Sequence, residues 1–214
     1  RTENFMDPLL DKLANRTAKV VVIGQGYVGL PVAIRATQVG YTTVGFDVST
    51  QRIESLCDGV SFVGDISDAE LSEALAKGYT PSDDPAELEG FDVAVISVPT
   101  PLREGMPDLA YIESAAASLA KHVRQGATVI LESTTYPGTP QDLVQPTPEE
   151  ASGLVVGEGF HLASTPERLD PGNPTSRSEN THTRASHLTP PYPRPVPHPS
   201  TPLPYPPHPH HATP

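Results

Sequence analysis

The chain of 214 residues has a single cysteine, Cys57, so an intramolecular disulfide framework is excluded. Ile53, Leu56, Cys57 and Val60 recur at helical spacing, which places the thiol on the apolar face of a short helix. A thiol buried there without a basic neighbour stays protonated, so the spacing favours a core residue over a nucleophile. No apolar run approaches the roughly 20 residues that span a bilayer, and the opening RTENFMDPLLDKLANR lacks the apolar centre of a signal peptide. A soluble, cytoplasmic protein with no membrane contact is expected.

Acids are nearly absent from the end of the chain. Beyond Asn173 the only acid is Glu179, and the only bases are Arg177, Arg184 and Arg194. Removing these from 26 acids and 14 bases leaves the preceding body strongly acidic. A body of that sign offers no basic stripe, so no nucleic-acid partner is expected. Proline, 26 residues in all, crowds the same end. From Pro190 to Pro214 it alternates with His, Tyr, Ser and Thr. Such a segment cannot bury enough apolar surface to offset its ordering entropy.

No internal repeat is visible. Between Ala18 and about Asn173, short apolar runs alternate with amphipathic stretches, as a βαβ architecture requires. Strands are predicted at Val20–Ile23, Thr42–Phe46, Val93–Val98, Thr128–Leu131 and Phe160–Ser164. Most are continuously apolar, as parallel strands covered on both faces are. One helix is predicted after the first strand, with Val28, Val32, Ala36 and Val39 as its stripe and Gly40 as its stop. Another is predicted from Leu109 to Val123, burying Ile112, Ala116, Leu119 and Val123, with Asp108 capping its first turn.

Gly24-x-Gly26-x-x-Gly29 follows a strand, opens a helix and is followed by a second strand ending in Asp47. These are the requirements of a dinucleotide-binding fingerprint. Gly24 permits the tight turn, Gly26 allows a pyrophosphate near the backbone, and Gly29 lets helix and strand pack closely. Asp47 is placed to accept from adenosine ribose hydroxyls, and its charge disfavours a 2′-phosphate, so NAD is expected over NADP. The fold class that follows is α/β, a doubly wound parallel-sheet Rossmann domain.

Three further loops lie at carboxyl ends of predicted strands: SVPTPL, LESTTYPGT and STPERLDPGN. Singly, each reads as a Pro-rich turn; together they argue for one assembled site at the edge where doubly wound sheets bind ligands. With GQGYVGLP, SFVGDIS and PDLAYIESAA, in this order, these segments make the body resemble the amino-terminal domain of the UDP-glucose/GDP-mannose dehydrogenase family. It is most similar to the bacterial branch that oxidises UDP-N-acetylhexosamines at C6.

The resemblance implies NAD-dependent oxidation of a UDP-sugar's C6 alcohol to a carboxylate, through two hydride transfers and an enzyme-bound thioester. It assigns Gly24, Gly26, Tyr27, Val28 and Gly29 to the pyrophosphate turn, Asp47 to the ribose and Arg52 to the adenosine side. Val98, Pro99 and Thr100, with Thr134, match loops beside the cofactor. Thr135 matches a threonine that positions an active-site water. Glu167 matches a carboxylate assigned to acid/base work, expected here at the cleft rim, aimed towards Thr135 and titrating as an ordinary exposed glutamate. The family's C-x-P-K-D cysteine segment does not occur in these residues, nor do the sugar-reading domain and much of the dimer-forming helix, so no activity from this chain alone is expected. A UDP-sugar substrate and a homo-oligomer are implied only for the full-length form, and no metal is called for.

The organisation expected is an extension over 1–17, an NAD-binding Rossmann domain over 18–175 and a disordered Pro/His-rich tail over 176–214. The resemblance fades after PERLDPGNPT, surviving at most to Thr181. The C-rich codons implied beyond it suggest a frameshift near that point. Against a recruited polyproline-II ligand, or a metal site at His208, His210 and His211, a tail without function is the expectation.

Overall fold

In a computed structural model, residues 6–103, 106–132, 144–165 and 186–187 are described. In chain order they form α1 (Met6–Ala14), β1 (Lys19–Ile23), α2 (Gly29–Gln38), β2 (Thr42–Phe46), α3 (Thr50–Cys57), α4 (Asp68–Ala76) and β3 (Tyr79–Ser82). A 3₁₀ turn over Pro85–Leu88 leads to β4 (Val93–Ile96), β5 (Leu102–Arg103), β6 (Met106–Pro107), α5 (Ala110–Ala120), β7 (Thr128–Glu132), α6 (Pro146–Ser152), β8 (His161–Thr165) and β9 (Ser186–His187).

The main sheet runs β3-β2-β1-β4-β7-β8-β9, parallel from β3 to β8 and closed by antiparallel β9. β5 and β6 make a separate antiparallel hairpin. The strand order reverses between β1 and β4, the topological switch point at which such sheets bind ligands.

Alternation along β1 explains the two layers. Val20 and Val22 face the cluster built on Leu30, Ala33 and Ile34 of α2 and Leu71 of α4. Val21 and Ile23 face the other cluster, which holds Ile112, Ala116 and Leu119 of α5 with Phe91 and Phe160. A strand covered on both sides has no solvent face, which is why its sequence is apolar throughout.

All five predicted strands form, within one or two residues of the expected bounds. β8 pairs in parallel with β7. The α5 prediction holds as well: its four expected core residues are buried, and the Asp108 carboxylate accepts the Ala110 N–H at 3.1 Å. Gly40 follows the end of α2 and donates to the Thr37 carbonyl.

Two expectations are corrected. The buried stripe of α2 is Leu30, Ala33, Ile34 and Thr37; Val28, Val32, Ala36 and Val39 lie half-buried at its flank. Both series obey helical spacing, and the close approach at Gly29 decides which one faces the sheet. Cys57 is exposed, not core, because only Ile53 and Leu56 of α3 turn inward. Partial desolvation, with Asp58 and Asp83 nearby, raises its pKa, so the thiol is protonated near neutrality. Within the expected tail, Ser186 and His187 pair with Ser164 and Ala163; the rest of that segment lies outside the described residues.

An ionic clamp closes the sheet edge opposite the carboxyl ends. Asp92, buried just before β4, accepts from Lys12 of α1 at 2.7 Å, the Lys19 N–H of β1 at 2.9 Å, and Arg124 ahead of β7. Burial alone would push its pKa up; the Lys12, Lys19 and Arg124 interactions outweigh it and hold the carboxyl below its ordinary value. α1, within the extension expected over 1–17, is thereby tied to the fold, with Leu9 buried.

Candidate cofactor site

A cleft of about 470 Å³ opens at the carboxyl ends of β1, β2, β4 and β7, within the usual range for small-ligand sites. The loop after β1 forms its floor. Gly24 has φ +92°, and a Cβ there would come within 2.4 Å of the Ser97 carbonyl oxygen. At Gly29 a Cβ would stand 1.7 Å from the Gly24 carbonyl oxygen. These two glycines therefore let the turn close and α2 start directly beneath it. Gly26 differs, since a Cβ there would meet nothing within 4 Å and would project into open space.

The start of α2 faces this space with no side-chain cap and no acid in its first turn. Unmatched N–H groups and the positive end of the helix dipole make such an end a receptor for anionic oxygen. Tyr27, 63% exposed, and half-buried Val28 line the same floor.

On the β2 side stands Asp47, buried to 5% exposure. Its Oδ2 accepts the Gln25 N–H at 2.9 Å and its Oδ1 the Ser49 N–H at 2.9 Å. Arg52 of α3 reaches Oδ2 at 3.4 Å and lies over the Phe62 ring, 5.8 Å from its centroid. Carboxylate oxygens carry more lone pairs than these donors use, so Asp47 retains capacity for hydroxyl donors of a ligand.

The β4 side supplies Ser97, Val98, Pro99 and Thr100. The Ser97 Oγ is buried and finds no hydrogen-bond partner among the described residues, as suits a wall completed by a polar ligand. Helix α5 contributes Tyr111, Ser114, Ala115 and Ser118, and β7 contributes Glu132. These last five were not singled out in the sequence. Tyr111, Ser114 and Ala115 fall in PDLAYIESAA and Glu132 in LESTTYPGT, while Ser118 lies beyond both; the packing of α5 and the end of β7 bring these side chains to the cleft.

Ten of the sequence-predicted cofactor residues are thus accounted for. Gly24, Gly26, Tyr27, Val28, Asp47, Arg52, Val98, Pro99 and Thr100 line one cleft, while Gly29 shapes it from below. Thr134, Thr135 and Glu167 lie outside the described residues. The open cradle at Gly26, the uncapped helix and the unpartnered Ser97 hydroxyl fit a dinucleotide, with Asp47 fitting its ribose. Among the described residues there is no cluster of His, Cys, Asp and Glu able to hold a metal ion, and no helix long and apolar enough to cross a membrane.

Known proteins share this arrangement. The NAD binding domain of the UDP-glucose/GDP-mannose dehydrogenase family matches residues 18–183. The UDP-N-acetyl-D-glucosamine 6-dehydrogenase of Pseudomonas aeruginosa is 37% identical over 173 residues, covering 80% of this chain and 40% of that protein. The structure of the UDP-D-ManNAc dehydrogenase of Pyrococcus horikoshii superposes with a TM-score of 0.68 at 38% identity, covering 72% of this chain and 37% of the other. The UDP-N-acetyl-mannosamine dehydrogenase Cap5O of Staphylococcus aureus gives 0.71 at 32% identity, covering 80% and 42%. The chain spans about 40% of the length of the curated relative from Pseudomonas. From the fingerprint, the sheet order and these matches together, the chain belongs to the UDP-glucose/GDP-mannose dehydrogenase family, of which it carries the NAD-binding domain.

Proposed function

We propose that this chain is the cofactor-binding part of a nucleotide-sugar 6-dehydrogenase that oxidises the C6 alcohol of a UDP-sugar, of the UDP-N-acetylhexosamine class, to a carboxylate. The observation that carries the reading is the single cleft joining the glycine turn, Asp47 and the Val98–Thr100 loop at the switch point. NAD, when bound, supplies the hydride acceptor, and two hydride transfers with one water account for conversion of CH₂OH to carboxylate. The chain's own part is to hold that acceptor: the turn and the start of α2 for the pyrophosphate, Asp47 and Arg52 for the adenosine side. Thr135 and Glu167, carried over from the resemblance, are proposed to position water and move protons once a sugar-binding part is present.

These residues by themselves are proposed not to turn over. Their only thiol is Cys57, which is exposed, has a raised pKa and does not line the cleft. The test uses the purified 214-residue chain with NAD and UDP-N-acetylglucosamine or UDP-N-acetylmannosamine. NAD binding by calorimetry without formation of NADH is expected. NADH production would overturn the proposed inactivity; failure to bind NAD would overturn the assignment of the cleft.

A cofactor cleft assembled among the described residues with no reactive thiol lining it favours one second reading, a non-catalytic NAD-binding or regulatory module that pairs with a full-length relative. Stoichiometric co-purification with such a relative supports it. Their separation on a sizing column at micromolar concentration counts against it.

A further inference from the structure

Gln25 occupies the second position of the glycine turn, one residue from Gly26, yet it is fully buried and points away from the cleft. Its side chain runs beneath the turn instead. Nε2 donates to the Val22 carbonyl at 2.8 Å and to the Gly24 carbonyl at 3.3 Å, and Oε1 accepts from the Tyr79 hydroxyl at 2.7 Å. The orientation of the amide is fixed by this set, because reversing it would set an acceptor against two carbonyl oxygens. Tyr79 begins β3 at the sheet edge and is 3% exposed. Burial first, then Cys57 and Asp47, raises its pKa, so it remains a phenol and a donor.

Gly45 of β2 makes room for the pair. A Cβ there would lie 2.5 Å from both Gln25 Oε1 and Tyr79 Oη. The glycine inside that strand is therefore explained by what crosses over it. The main chain of Gln25 completes the connection, since its N–H donates to Asp47 Oδ2 at 2.9 Å. One residue is consequently bonded at both ends, through its side chain to β1 and β3 and through its backbone to the ribose acid.

We propose that the Tyr79–Gln25 pair is a positioning device that holds the Asp47 carboxylate for the adenosine ribose and so sets the preference for NAD over NADP. The proposal rests on the reading of the cleft as an NAD site. Without the Tyr79 hydroxyl, Oε1 of Gln25 is left buried with no donor among the described residues, a costly state that an amide flip cannot relieve and that displacement of the whole side chain does. That displacement turns the Gln25 segment and slackens its N–H bond to Asp47. The carboxylate then shifts towards Arg52, whose half-exposed guanidinium already sits 3.4 Å away. Both of its tasks suffer together: accepting from the 2′-hydroxyl and repelling a 2′-phosphate.

Tyr79→Phe in the full chain keeps the ring and removes only the hydroxyl. Calorimetric titration with NAD and with NADP is expected to show the NAD Kd raised about tenfold and the NADP Kd unchanged or lowered. In an Asp47→Ala background the same substitution is expected to add less than about twofold, because the group it positions is gone. Gln25→Met, of similar length and without donor or acceptor, is titrated in parallel and carries the test if the first variant does not fold. Equal weakening of both cofactors, no change in either, or an undiminished penalty in the Asp47→Ala background overturns the positioning role. If the unaltered chain binds no NAD, the cleft assignment itself fails and this role with it, an outcome separable from the others because it precedes any substitution.

Discussion

Gly26 and Gly29 are the same residue three positions apart, and they answer to different constraints. Around Gly29 the protein itself fills the space a side chain would need, whereas around Gly26 there is none of it within 4 Å. The two alanine variants should separate stability from binding. Gly29→Ala forces α2 away from the turn and is expected to cost about 3 kcal/mol or more, read as a lowered Tm in thermal unfolding. Gly26→Ala is expected to leave the Tm within about 2 °C and to weaken NAD about tenfold or more, because the methyl group stands where a pyrophosphate approaches the backbone. A Gly26→Ala protein that binds NAD normally would remove that glycine from the site.

The elements are joined at two places by different chemistry. At the carboxyl edge polar groups face a cleft; at the opposite edge Asp92 ties α1, β1 and the start of β7 to β4. Its folded-state pKa is lowered, so its contribution is fully present above the unfolded value of about 3.9 and is lost as pH falls below it towards the folded value. Denaturant unfolding between pH 7 and pH 3 should show this loss. Asp92→Asn is expected to cost about 2 kcal/mol at neutral pH, since one hydrogen-bonding oxygen and the charge facing two cations are removed. It should also flatten the acid limb of the stability curve. An acid limb unchanged in the variant would show that other carboxylates govern it.

For the whole molecule, cofactor and fold are linked by mass action. NAD at a hundred times its Kd is expected to stabilise the folded state by about 2.7 kcal/mol, which for a fold of this size raises the Tm by roughly 5–10 °C. Scanning calorimetry with and without NAD measures it, and an unmoved Tm at saturating NAD would mean that the cleft is not formed in solution. The two core clusters, one on each side of the parallel sheet, explain why the chain is expected to fold without the remaining length of its relatives. Both faces of β1 and β4 are covered, and β7 buries Val129 and Leu131 with Ile130 half-buried, so the cleft is built on a two-layered support.

What the residues determined alone was local and periodic. Continuously apolar runs specify buried parallel strands, and glycines spaced between a strand and a helix specify a turn with little choice of form. Hence β1, β2, β4, β7 and β8, the α5 face, and the nine predicted residues that line the cleft were legible before any fold was known. Edge elements were not. β3 reads Tyr-Thr-Pro-Ser, with a proline that argues against a strand and is tolerated only because β3 lies at the sheet edge. The inward face of α2, the exposure of Cys57 and the docking of α1 through Lys12 were equally hidden. Each depends on partners distant in sequence. The Tyr79–Gln25 contact spans 54 positions, and only the closed β3-β2-β1 edge sets the two side chains across Gly45. Spacing along a chain encodes which residues share a face; which face meets which, and therefore which polar groups must satisfy one another, is decided when the layers pack.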